Sequence, residues 1–230
     1  MLQPVTSEHD WLTALSGAPG WQPPRKRTVV LTPHPDDETL GAGGLIAAQC
    51  RAGVETIVVA VTDGEAAYPD RPRLAELRRA EQEKALAALG VTANNIIRFK
   101  LPDSGVTQCE EELLILVRHL IDNNTLLVAP WPGDPHPDHE ITGRIAQLVS
   151  DQRGAELLGY FFWSWHHLTP ETLKRLSVVR FGLDSELSAR RAAALCCYRS
   201  QMEHESGQPI LPEILLAPAR RPFETYTCHV

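Results

Sequence analysis

The chain has 230 residues, 43% hydrophobic and 22% charged, with a formal net charge of −7 and a pI of about 5.7. That is the make-up of a globular protein with one sizeable core, and its acidic balance argues against general binding of nucleic-acid backbones, which takes clustered Lys and Arg. Its longest apolar runs, such as Thr56 to Val61 and Leu126 to Ala129, are strand-length and far short of the roughly 20 residues of a membrane helix.

The first residues include Glu8 and Asp10 and lack a basic start followed by an apolar block. No secretory signal is therefore expected, and a cytoplasmic location is. The five cysteines, at 50, 109, 196, 197 and 228, form no C-x-x-C pair. They are expected to be small, reduced packing residues.

In chain order, Ser7 followed three positions later by Asp10 is a capping signal for a short helix through Trp11, Leu12 and Leu15, stopped by Gly17. Ala18 to Pro24 is a connector, and this N-terminal piece is expected on the outside of the domain or over a partner's surface. From Thr28 the chain is β-branched and apolar, which reads as a buried first strand of a parallel sheet. A helix then runs from Leu40 to near Gly53, a second strand over Thr56 to Thr62, and an amphipathic helix over Leu74 to Leu89, stopped by Gly90.

A third strand is expected over Asn95 to Leu101, a helix over Glu110 to Ile121, a strand over Thr125 to Pro130 and a helix over Ile141 to Val149. Further strands are expected over Leu157 to Trp163 and Ser177 to Phe181, then a helix over Asp184 to Glu203. The Pro-rich tail from Pro209 onward has no readable periodicity. Alternating strands and helices predict a single Rossmann-like α/β domain, its sheet mostly parallel with helices on both faces. Residues 1–27 form an N-terminal extension and linker, 28–204 the α/β domain, and 205–230 a C-terminal tail packing on the same domain.

The chemistry gathers at strand ends, where open α/β sheets bind ligands. The first strand runs into His34-Pro35-Asp36-Asp37-Glu38, and a later one into Trp131-Pro132-Gly133-Asp134-Pro135-His136-Pro137-Asp138-His139. Paired His and carboxylate side chains are costly to desolvate unless they share a cation or substrate. A catalytic zinc site takes three nitrogen or oxygen ligands and leaves a position for water. Imidazole suits zinc better than magnesium. The competing reading, in which His34 and His139 cap helices, would have to hold at two loops at once.

These two motifs resemble the LmbE-like or PIG-L family of zinc-dependent N-acetylglucosaminyl deacetylases. The resemblance extends over Thr28 to Gln201 and includes Arg78, Glu81, Leu89 and Gly90 as an Arg-x-x-Glu helix ending in Leu-Gly, Leu101-Pro102-Asp103, and Ser200-Gln201. It implies Zn2+ as cofactor with His34, Asp37 and His139 as ligands, Asp36 as general base, and His136 assisting at the oxyanion. It also implies Arg78 and Asp103 as contacts to sugar hydroxyls. The reaction implied is hydrolysis of the N-acetyl group of an N-acetylglucosamine-type sugar or conjugate by a water that zinc and Asp36 activate. The family contains closed oligomers, but this sequence carries no interface signature.

Asp138, flanked by two histidines, is expected to orient an imidazole through a hydrogen bond, and Glu38 to cap or neutralise the helix that follows it. Gly41-Ala42-Gly43-Gly44 lacks the G-x-G-x-x-G spacing of a nicotinamide site. Trp163, Trp165, His166 and His167 suit a sugar-stacking rim, although strand packing is favoured for them. Two other readings stay open: a zinc-dependent amidase acting on a glycopeptide, nucleoside or non-sugar amine, and a non-catalytic sugar- or metal-binding module, against which the retained Asp36 counts.

Overall fold

A computed structural model describes residues 3–68, 71–203 and 207–229. Its helices are α1 (Glu8–Leu15), α2 (Asp37–Arg51), α3 (Leu74–Leu89), α4 (Glu110–Leu120), α5 (Pro137–Arg153), α6 (Ser164–His167), α7 (Ser185–Leu195) and α8 (Arg199–Met202). The strands are β1 (Arg27–Thr32), β2 (Thr56–Ala60), β3 (Ile96–Arg98), β4 (Thr125–Pro130), β5 (Glu156–Tyr160), β6 (Val178–Gly182) and β7 (Phe223–His229). They form one sheet in the order β3-β2-β1-β4-β5-β7-β6. The pairings from β3 through β5 are parallel, and β7 runs antiparallel to both β5 and β6.

The apolar runs are central because both of their faces are covered. Val30, Val58 and Val128 pack on one side with Leu45, Ile46, Leu86 and Leu89 of α2 and α3. Val29, Val59 and Leu127 pack on the other with Leu113, Val117, Ile145 and Val149 of α4 and α5. Each such side chain, fully removed from water, contributes about 1.5–3 kcal/mol. The expected Rossmann-like sheet is therefore present, with helices on both faces. Chain order reverses between β1 and β4, which are neighbours, so the loops after these two strands open onto the same crevice.

Four elements differ from expectation. The third strand pairs only over Ile96–Arg98. Helix α5 begins at Pro137, so His139 lies in its first turn. The strand expected to reach Trp163 stops at Tyr160, because the Asp134 carboxylate accepts the N–H groups of Phe162 and Ser164 and the Ser164 hydroxyl, which turns the chain into α6. The helix expected over Asp184 to Glu203 breaks between Leu195 and Arg199, where Tyr198 turns inward to Glu38.

The segment 205–230, read as a tail packing on the domain, supplies β7 within the sheet. Its Glu224 accepts the N–H groups of Gly44 (2.6 Å) and Leu45 (2.8 Å), which a kink at Ala42 frees from helical partners. The glycine run has a packing reason: a Cβ on Gly41 would lie 2.3 Å from the Tyr160 ring. In the N-terminal extension, Ser7 caps α1, and Trp11 and Leu15 pack with Phe161 and Trp165. All five cysteines are free. Among the described residues, no helix is long and apolar enough to cross a membrane.

Candidate metal centre and active site

Helix α2 starts at the end of the first motif and α5 within the second, so both helix N-termini face the crevice. His34 Nδ1 lies 3.1 Å from Asp37 Oδ2, and His139 Nε2 lies 3.1 Å from the same oxygen. One ligand atom from each of His34, Asp37 and His139 falls within a span of 4.8 Å. Neither ring nitrogen of fully buried His139 has an aligned hydrogen-bond partner. An imidazole left unpartnered beside a carboxylate is what a shared cation would satisfy, and two nitrogens and one oxygen make a donor set for a transition-type metal. The group can therefore hold a metal ion.

Each histidine has a second carboxylate behind it. His139 Nδ1 faces Asp134 Oδ1 at 3.3 Å, and both side chains are wholly buried. His34 Nε2 faces Asp103 Oδ1 at 3.2 Å and Asp138 Oδ2 at 3.3 Å. Such partners fix the tautomer and the ring plane of a metal-binding histidine. Asp138 in turn accepts the N–H groups of Ser104 and Val106, which ties the second motif to the loop after β3.

The field around the cluster follows from this crowding. Burial works to lower His139, but the charge of Asp37 and the close approach of the Asp134 and Asp37 carboxylates raise it to about 9. His34 is likewise raised well above its ordinary value, against burial, by its bonds to Asp103, Asp138 and Asp37. Burial works to raise Asp37, but His139 and His34 hold it well below the usual carboxylate range.

Asp36 sits beside this group in a different condition. Its backbone has φ 125° and ψ −31°, a left-handed conformation rare for a residue with a side chain, of a kind that costs about 1–3 kcal/mol. Burial pushes its carboxyl well above the ordinary value, and the Arg78 guanidinium, 3.3 Å away, pulls it back. Arg78 also donates to the carbonyls of Gly64 and Pro35, both at 2.9 Å.

His136 caps α5: its Nδ1 accepts the Asp138 N–H at 3.2 Å, so in a neutral ring the proton is on Nε2. Burial, and then the charges of His34 and His139, lower it to about 4. Trp163 stacks on the His136 ring with centroids 6.0 Å apart. A cavity of about 210 Å³ opens here, polar on the side of Asp36, Arg78, Asp103 and His136 and apolar on the side of Phe162, Trp163 and Leu211.

Of the residues singled out in the sequence, His34, Asp36, Asp37, Arg78, Asp103, His136 and Trp163 line this cavity, and Asp138 and His139 lie behind it on His34 and Asp37, whereas Glu81 accepts the Ser200 N–H and hydroxyl outside its lining. Asp103 lines it, yet one of its oxygens is on His34 and the other accepts the Ala66 N–H at 2.8 Å. The aromatic group lies at a short helix rather than in a strand: Trp163, just ahead of α6, faces the cavity, while Trp165 within it packs edge-on against Trp11. Glu38 accepts the Asp36 N–H at the start of α2, at 3.4 Å, from a buried position. Its carboxylate turns into the core, where Gln82 and Tyr198 donate to it. Asp134 is the main residue that sequence reasoning missed, its only signal being an aspartate in the same loop as His136 and His139. Ile210 and Leu211 come from a segment with no readable pattern.

A family model described as PIG-L, GlcNAc-PI de-N-acetylase, matches residues 29–150. The chain belongs to the PIG-L family. Among its relatives, the diacetylchitobiose deacetylase of Thermococcus kodakarensis is 32% identical over 125 residues, covering 51% of this chain and 46% of the relative. A 1D-myo-inositol 2-acetamido-2-deoxy-alpha-D-glucopyranoside deacetylase of Catenulispora acidiphila is 32% identical over 158 residues, covering 55% and 50%. The chain thus spans about half the length of these relatives. The crystal structure of teicoplanin deacetylase Orf2, in a zinc-inhibited form, superposes with a TM-score of 0.68 at 20% identity, covering 88% of this chain and 97% of that one. At that identity the likeness is one of fold.

Proposed function

We propose that this PIG-L family protein is a zinc-dependent hydrolase that removes the acetyl group from an N-acetylglucosamine-type sugar or conjugate. The observation that carries this reading is Asp36: a buried carboxylate that lines the cavity beside the His34, Asp37 and His139 group. It is held by Arg78 rather than spent on the two histidines. A module that only bound metal or sugar would not need a second carboxylate in strained backbone at that point. Family relatives named as deacetylases of acetylated amino sugars support the amide as the bond cleaved.

His34, Asp37 and His139 would hold the ion, and two imidazoles with one carboxylate favour zinc over magnesium. Bound there, zinc supplies Lewis-acid polarisation and lowers the pKa of water toward about 7. Asp36 takes the proton of the attacking water as the amide carbonyl becomes tetrahedral. His136, neutral and carrying its proton on Nε2, donates a hydrogen bond to the developing oxyanion. Asp36 then returns its proton to the leaving nitrogen, because an imidazole so reluctant to become charged makes a donor of hydrogen bonds rather than a reservoir of protons. The products are acetate and a free amine.

The cavity has room for about one sugar ring, with Asp103 and Arg78 toward its hydroxyls and Trp163 toward its apolar face. Larger parts of a conjugate would lie outside. The test is amine release from a panel of N-acetylated sugars, glycosides and simple N-acyl amides by zinc-loaded and by chelated protein. Zinc-dependent release from acetylated amino sugars is expected. Release from simple amides alone would move the substrate away from sugars, and no release from any member with zinc bound would reject the hydrolase.

A further inference from the structure

Glu38 has no part in the chemistry just proposed, yet it is wholly buried immediately beside it. Its Oε2 accepts the Asp36 backbone N–H at 3.4 Å, the Gln82 amide at 3.1 Å and the Thr32 hydroxyl at 3.0 Å. Its Oε1 accepts the Tyr198 hydroxyl and the Thr39 hydroxyl. Those donors come from the end of β1, from α2, from α3 and from the break between α7 and α8. We propose that Glu38 is a positioning residue for Asp36, a buried strut that holds the backbone of the base in its left-handed conformation. The proposal rests on the reading of Asp36 as the base.

The Asp36 N–H precedes α2, so no helical carbonyl accepts it, and the Glu38 carboxylate is the acceptor within reach. The strut is itself braced. Arg98 donates to Gln82 Oε1 at 2.7 Å, which turns the Gln82 amide nitrogen toward Glu38. Tyr198 reaches Glu38 only because the helix breaks after Leu195. An acceptor-only group surrounded by donors tolerates no donor in its place. Glu38→Gln keeps the size of the side chain but turns an NH2 group toward those donors, and the Asp36 peptide is then free to relax. Displacement of a reacting group by about 1 Å costs on the order of a hundredfold in rate.

The test compares the parent with Glu38→Gln, with Tyr198→Phe as a second variant that removes one brace and leaves the carboxylate. Four quantities are read: kcat and KM for the best substrate of the panel, zinc per chain, and amide hydrogen exchange at Asp36. Glu38→Gln should lower kcat by about tenfold or more with KM within about twofold, keep its zinc, and speed Asp36 exchange by about tenfold. Tyr198→Phe should move the same quantities in the same direction by less, and it decides the matter if Glu38→Gln does not fold. Parental kcat in the folded variant, or a kcat loss matched by loss of zinc, would overturn the proposal, since simple packing would do no more than lower the melting temperature. Asp36 exchange requires no substrate. An inactive parent would therefore reject the deacetylase reading alone, while unchanged exchange in the variant would reject the strut.

Discussion

The loop after β1 and the loop after β4 each bring histidines and aspartates to the same crevice, but they spend their carboxylates differently. In the first loop Asp37 lies between the two histidines and Asp36 stands apart on Arg78, in strained backbone. In the second loop both aspartates serve imidazoles: Asp134 lies behind His139, and Asp138 crosses over to His34. Position in the turn makes the difference. Asp36 precedes α2 with a positive φ that turns its side chain to the cavity, whereas Asp134 is pulled under α6 by three hydrogen bonds. One aspartate of the first loop thus stands free of the histidines, while both aspartates of the second loop back them.

Removing a histidine should have the largest effect. His139→Ala or His34→Ala is expected to lose bound zinc and, with it, amine release, and elemental analysis of purified protein reads the first of these directly. Retention of full zinc by either variant would break the symmetry between the loops. Asp36→Asn should separate the two uses of carboxylate most cleanly: zinc stays and turnover falls by about 10²–10⁴-fold.

Asp134→Asn and Asp138→Asn should act on the metal instead, each weakening zinc affinity by about 10–100-fold in competition with a chelator. The wholly buried Asp134 should show the larger effect, because Asp103 backs up Asp138 on His34. If either variant kept parental affinity while losing turnover, that aspartate would belong with Asp36 rather than with the supports.

The pH dependence follows from His139. In metal-free protein its pKa of about 9 lies above an unfolded value of about 6.5, so the folded state binds the extra proton between the two. Its contribution to stability is therefore complete below about pH 6.5 and is lost as pH rises through about 9. Thermal unfolding of chelated protein should show that decline. Zinc must displace this proton, so zinc affinity should climb across the same window. His136 and His166 act at the acid end, each lowered to about 4 by burial. For them the unfolded chain binds more protons below about pH 6.5, and stability should be lost as pH falls through about 4. The smallest effect should come from Trp163→Ala, which raises KM a few-fold with kcat nearly unchanged.

What was legible in the sequence follows the same division. Continuous apolar runs marked β1, β2 and β4, because strands buried on both faces leave no room for polar residues, and the paired motifs at two of their ends marked the site. Strand β7 was not legible: Phe-Glu-Thr-Tyr-Thr-Cys-His mixes polar and apolar residues, and its Glu224 is buried for a purpose 180 positions away, on the N–H groups of Gly44. The break before Tyr198 carries no Gly or Pro, and it exists because a tyrosine hydroxyl meets Glu38. Asp134 looked like any loop aspartate. Such partners are set by packing between elements, which local pattern does not encode.

Zinc titrated into chelated protein, with amine release from an acetylated amino sugar followed at each addition for the parent and for Asp36→Asn, tests the roles of the metal and of Asp36 together. Parental release should rise in proportion to bound zinc and level off at one ion per chain, while Asp36→Asn binds the same single ion and releases almost nothing. Release that persists without metal, or that Asp36→Asn supports at the parental rate, would contradict them.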